Sequence, residues 1–107
     1  MTPDQINQIL NMVEGFDWDE GNIEKSFSKH KITAQESEEV FVNEPLIINF
    51  DLKHSSKEER YQVLGQTNGQ KKLFMVFTIR NKKIRIISTR NQNKRERKRY
   101  EKLKKNP

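Results

Sequence analysis

Ile84–Lys102, IRIISTRNQNKRERKRYEK, is the stretch on which the reading of this chain turns. An apolar, β-branched strand passes through the polar loop Asn91-Gln92-Asn93 into a strongly basic segment. From Arg80 to Lys105, thirteen Lys and Arg stand against Glu96 and Glu101. That segment carries about +11 and the rest of the chain about −5, which together make the net +6. Positive charge concentrated in this way gathers a polyanion at one surface, the electrostatic footprint of a nucleic-acid binder. A solvated tail would carry the same charges. Attachment to a core strand favours the binding surface, because the basic residues then start from a fixed position.

Working outward, Lys71 to Arg80 holds LFMVFTI, apolar on both faces and therefore a central strand. Asn81-Lys82-Lys83 makes a tight connection to Ile84–Arg90. Asn68-Gly69 is a turn signal joining Arg60–Thr67 to the central strand. Leu46–Asp51 is the first strand of the set, followed by a charged loop, Lys53–Glu59. Phe16-Asp17-Trp18-Asp19 alternates and is a candidate fifth strand at one edge. Helices are expected at residues 2–14, where Thr2 caps and Gly15 stops the run. Another runs over 20–29 behind Asp19, with Ile23 and Phe27 facing inward. A third opens on the capping box Thr33-x-x-Glu36 and runs to about Val42. The last, about Lys94–Lys104, opens on Asn93-x-x-Glu96, and only Tyr100 and Leu103 anchor it. The fold class is α+β: an antiparallel sheet of four to five strands, N-terminal helices packed on it, and a basic C-terminal helix. Residues 1–15 read as a helical extension, 16–103 as one domain, and 104–107 as a disordered tail.

At 107 residues, with 32% hydrophobic and 34% charged content, the chain supports one small core. The absence of cysteine excludes disulfides, thiolate metal sites and cysteine nucleophiles. His30 and His54 do not stand at metal-ligand spacing, and the scattered glycines form no phosphate loop. No metal or cofactor is expected. No apolar run is long enough to span a membrane, and no signal peptide is evident, so a cytoplasmic protein without a membrane partner is expected.

What remains for chemistry is arginines at strand ends: Arg60, Arg80 and Arg90. Guanidinium forks bind phosphate oxygens bidentately. Pairing with Glu58, Glu59 or Glu96 is the alternative use of the same side chains. Across the Asn68-Gly69 hairpin Arg60 and Arg80 share an end, while Arg90 lies at the other end of its own hairpin. Cleavage of RNA without a metal needs a base for the 2′-hydroxyl, cations for the phosphorane and an acid for the leaving 5′-oxygen. His30, Glu96, Tyr100 and Lys25 are the available acid–base groups, and the sequence does not choose among them. His30 equally fits a helix C-terminal histidine that bonds the last carbonyls.

At this point the chain resembles a known family. FDWDEGNI (16–23), KHKI (29–32), EEVF and NEP (38–45), ERY with LG (59–65), LFMVFTIR (73–80), IRIIS with Arg90, and E-R-x-x-Y (96–100) together look like the BrnT toxins of type II toxin–antitoxin modules. The resemblance spans about Phe16 to Glu101. It implies a RelE-like fold, endoribonuclease activity that blocks translation, and neutralisation by a cognate antitoxin, BrnA, through which operator DNA is bound. Its motif positions include Trp18, Asp19, Lys29, His30, Arg60, Arg80, Arg85, Ser88, Arg90, Glu96 and Tyr100. The expected catalytic set is His30, Arg60, Arg80, Arg90, Glu96 and Tyr100, with Lys25, Lys29, Lys94, Arg95 and Arg97 contacting RNA. A non-catalytic RNA- or ribosome-binding domain is the competing reading.

Overall fold

The alternation along the LFMVFTI run divides the molecule into two sides. A computed structural model describes the backbone of residues 1–105, with side chains except those of residues 25–28 and 105. Strands β1 (Ile47–Phe50), β2 (Tyr61–Gln66), β3 (Lys72–Arg80) and β4 (Lys83–Asn91) form one antiparallel sheet in the order β1-β2-β3-β4. The central strand is β3, as its apolar run requires. Asn81 and Lys82 both take positive φ, 50° and 63°, which makes the two-residue turn whose twist suits a hairpin. Between β2 and β3 the left-handed residue is Gln70, at φ 67°, rather than Gly69.

Leu73, Met75 and Phe77 point to one face, where the register sets Val63 opposite Met75 and both Tyr61 and Ile86 opposite Phe77. Helices α1 (Pro3–Met12), α2 (Glu20–His30) and α3 (Ala34–Glu39) cover this face, and Ile6 from α1, Ile32 between α2 and α3, and Val40 just after α3 enter the core. Phe16, Phe41, Phe77 and Tyr61 form a chain of rings with centroids 5.2–5.6 Å apart. Gly65 in β2 permits the close approach of Val40, since a Cβ there would collide with the valine side chain.

The helix starts follow the sequence signals. Thr2 with Gln5, and Thr33 with Glu36, form reciprocal capping boxes. Asp19 and Asn22 exchange bonds of 3.0 and 2.8 Å at the start of α2. Two expectations are corrected. The candidate fifth strand is a single parallel bridge from Phe16 to Ile84, because α2 begins four residues later and ends the extended segment. Ile23 is 40% exposed, and Asn22 turns inward in its place to donate to the carbonyls of Asp17 and Ile86. The expected tail is shorter too, since Lys104 and Lys105 continue the C-terminal helix, Lys94–Lys105; residues 106–107 and the side chain of Phe27 lie outside the described residues.

One irregularity positions the functional side chains. A bulge opposite Val76/Phe77 sets Ser88 against Val76 but Ile86 against Phe77, so Ile87 is the extra residue. Arg85 and Arg90 are an odd number apart and would otherwise point to opposite faces. With the bulge, Arg85 opposes Thr78 and Arg90 opposes Phe74, and both share the face away from the core helices.

Candidate active site

That second face is built by register. It carries Gln62, Leu64 and Gln66 from β2, Lys72, Phe74, Val76, Thr78 and Arg80 from β3, and Arg85, Ser88 and Arg90 from β4. Helix α4 (Lys94–Lys105) crosses one end of it. Its first turn meets β4, where Arg90 donates to the Glu96 carboxylate at 2.8 and 3.0 Å. Its middle meets β3, where Lys72 Nζ lies 3.0 Å from Glu101 Oε1. Its last turn meets β2, where Lys104 Nζ donates to Gln66 Oε1 at 3.3 Å. Tyr100 is fully buried beneath the helix and its hydroxyl donates to the Pro45 carbonyl.

Arg90 is held from several directions. Beyond the bidentate pair, its guanidinium sits 4.1 Å from the Phe74 ring centroid and donates to its neighbour's carbonyl, Asn91 O, at 3.1 Å. Glu96 is also the second half of the α4 capping box, exchanging 2.9 Å bonds with Asn93. Burial pushes the Glu96 carboxyl up, but the Arg90 fork and the Asn93 N–H outweigh it and hold the group below its ordinary range. The Tyr100 hydroxyl is pushed up to about 12, chiefly by burial.

At the other end of the same face Arg80 donates its Nε and Nη2 to Glu58 at 3.1 and 3.2 Å, and Arg60 Nη2 lies 3.8 Å from the same carboxylate. The Arg80 bond is the main cause that lowers the Glu58 pKa. Arg60 Nε has no hydrogen-bond partner among the described residues. Arg85 completes the cluster, donating to Asp19 at 2.7 Å and lying 3.6 Å from Asp17. The Thr78 hydroxyl donates to Glu59 O at 2.7 Å and ties the Glu58–Glu59 loop to the sheet. The Thr78 row and the Phe74 row are four residues apart on β3, roughly 13 Å at strand rise. Half-buried Gln62, Val76 and Ser88 lie between them.

The structure thus brings Arg60 and Arg80 together on Glu58, and Arg90 together with Glu96. Tyr100 is enclosed next to the second pair but away from solvent. His30 is half-buried at the end of α2, on the helix layer of the other face, and joins neither pair among the described residues. Lys29, Lys94, Arg95 and Arg97 are exposed, and Arg97 also donates to Gln92 O at 3.4 Å. The side chain of Lys25 lies outside the described residues. Sequence reasoning did not place Arg85 in the site or Phe74 beneath Arg90. The bulge that brings both arginines to this face leaves no residue-type signal.

Among the described residues, no group of three His, Cys, Asp or Glu could hold a metal ion, and no helix is long and apolar enough to cross a membrane. A family model described as ribonuclease toxin, BrnT, of type II toxin–antitoxin system matches residues 18–96. The matched span contains Arg60, Arg80, Arg85 and Arg90 and closes on Glu96, the partner of Arg90. No curated protein matches the chain.

Proposed function

Because the chain belongs to the BrnT family of ribonuclease toxins of type II toxin–antitoxin systems, we propose that it is a metal-independent endoribonuclease whose substrate strand lies across the second face of the sheet. Cleavage of cellular RNA there stops translation in the cytoplasm, and a cognate antitoxin neutralises the protein and carries it to operator DNA. One observation supports this reading above the others. Arg80 and Arg90 share one half-exposed sheet face, with Arg60 beside Arg80 at Glu58 and Glu96 reaching Arg90 from the cap of α4.

Arg60 and Arg80 grip a phosphate flanking the cut. Their two forks share one carboxylate, so most of their donors are available to phosphate oxygens. Arg90 and Glu96 act at the scissile phosphate. Glu96, ionised at neutral pH, takes the 2′-hydroxyl proton as the O2′–P bond forms. Arg90 neutralises the charge that develops on the phosphorane. The P–O5′ bond then breaks and the 5′-oxygen takes a proton from water, leaving a 2′,3′-cyclic phosphate; His30, on the helix layer of the other face, stands away from this phosphate. Tyr100 is the anchor of α4 rather than a proton donor, because its hydroxyl is buried and already bonded to Pro45 O. Lys25, Lys29, Lys94, Arg95 and Arg97 guide the strand. Purified protein is expected to cut RNA in EDTA and leave cyclic phosphate ends, and Glu96→Gln to abolish the cut. Intact RNA at high protein concentration would overturn the proposal.

The basic outer surface of α4 supports a second reading, a binder of RNA or ribosomes without catalysis. It predicts that Glu96→Gln leaves the effect on growth intact, while neutralising Lys94, Arg95 and Arg97 removes it along with a steep salt dependence of binding.

A further inference from the structure

The proposed reaction leaves a histidine–carboxylate pair unused. His54 Nδ1 lies 3.1 and 3.0 Å from the two carboxylate oxygens of Asp51. The Asp51 side chain is buried, at 6% exposure, while that of His54 is 57% exposed. An ionised carboxylate only accepts, so the ring keeps its proton on Nδ1. Nε2 has no hydrogen-bond partner among the described residues. Burial pushes the Asp51 carboxyl up, but the bonds from His54 and Gln62 outweigh it and hold the group below its ordinary range.

The pair stands at the Arg60 end of the second sheet face. Asp51 N–H donates to Arg60 O at 2.8 Å, so the β1–β2 pairing runs one residue past Phe50–Tyr61 and sets Asp51 beside Arg60. Gln62, from which Asp51 accepts, belongs to the arginine face. Ser55 Oγ donates to Asp51 O and accepts from Arg60 N–H at 3.0 Å, so one hydroxyl fixes the loop that carries His54 against the start of β2. The charged groups around His54 are Asp51, Lys53, Lys57 and Glu58 in its own loop, Arg60 at the start of β2, and the Met1 ammonium, 3.4 Å from Asn49 Oδ1 on β1.

We propose that His54, backed by Asp51, is a third phosphate-binding residue at this end, its Nε2–H donating to the RNA phosphate that Arg60 and Arg80 grip. The inference rests on the RNA-binding part of the proposed function and adds to it a dependence on protons. In the neutral ring Nε2 carries a lone pair and offers a phosphate no donor. In the charged ring it is a donor, and the Asp51 carboxylate behind it balances the charge. A histidine acting as general base would need the opposite state, the neutral one.

The test uses the full chain and a 2′-O-methyl oligouridine, which lacks the attacking hydroxyl and stays uncut. Binding is titrated at about pH 8 and about pH 5.5, across the span in which a histidine charges. The wild type is expected to bind about tenfold tighter at the lower pH, the scale of one hydrogen bond to a charged group, with a salt slope steeper by about one unit. His54→Gln should lose that gain, and His54→Arg should hold the tight state at both pH values. Asp51→Asn, checked for a retained unfolding midpoint, should move the binding profile to lower pH, because the imidazolium loses its counter-charge. With cleavable RNA, the loss in His54→Gln should appear in KM rather than kcat. Wild-type binding that is absent or independent of pH overturns the proposal. So does an undiminished pH gain in His54→Gln, which would assign it to another group such as His30 or the Met1 ammonium. A loss confined to kcat also overturns it and would make His54 a base. Absence of cleavage by the wild type, with the pH-dependent binding kept, would remove the ribonuclease reading and leave this one standing.

Discussion

The two ends of the second sheet face carry the same kind of contact, an arginine fork on a glutamate, and hold it differently. Arg90 meets a half-buried carboxylate that also caps a helix, with the Phe74 ring beneath it. Arg80 has half of its own side chain in water and meets Glu58, also half-buried, on the loop before β2, where the carboxylate caps no helix. An exposed pair contributes little to stability and opens readily. A pair built into a helix cap stays in place and keeps its dipoles oriented before substrate arrives. On the proposed function, position rather than residue type separates the pair at the scissile phosphate from the pair that grips a flanking one.

The largest effects should come from breaking the ordered end. Tyr100→Ala removes a fully buried ring from under α4. A loss of about 3–5 kcal/mol in urea unfolding is expected, together with RNA cleavage, because the Arg90–Glu96 pair loses its helix. Tyr100→Phe removes only the bond to Pro45 O and should cost about 1 kcal/mol with cleavage retained, which would exclude the phenol as a proton donor. Next, Arg90→Ala should lower kcat on the order of a hundredfold. Arg90→Lys should not restore it, since an ammonium cannot make the two-pronged contact with Glu96. Arg80→Ala should act mainly on KM. Equal loss of kcat at both ends would erase the distinction between them.

Much of this arrangement was legible in the sequence, for local reasons. The meander, the central place of LFMVFTI and the caps at Thr2, Thr33 and Asn93 follow from alternation and from side chains that bond their own backbone. The alternative partners of the arginines were legible in part: of Glu58, Glu59 and Glu96, the first and last pair with them, while Glu59 accepts from the Tyr61 hydroxyl. The bulge at Ile87 was not, because it depends on how β4 accommodates β3 rather than on any residue type. The inward turn of Asn22 in place of Ile23 was hidden as well. Apolar spacing suggested one helix face, but two backbone carbonyls needed a donor and Asn22 supplied it.

The smallest effects belong to the exposed end, and they sharpen the contrast most. Glu58 and Glu96 both have folded pKa values below the ordinary 4.5. The unfolded chain therefore binds their protons more readily, and each carboxylate favours the fold at and above neutral pH. That contribution fades as pH falls below 4.5 and through the lowered folded values. Glu96→Gln keeps the cap but removes the charge that Arg90 meets, so it should flatten the acid limb of a stability profile. Glu58→Gln should flatten it less, because water screens an exposed pair. The same substitution frees Arg80 and Arg60 from their only shared acceptor among the described contacts. RNA binding should then tighten a few-fold and gain a steeper salt dependence, by about one unit of slope for one newly available cation. Weaker binding in Glu58→Gln would mean that the carboxylate orients the arginines rather than competing with phosphate, and the exposed end would then be as preorganised as the buried one.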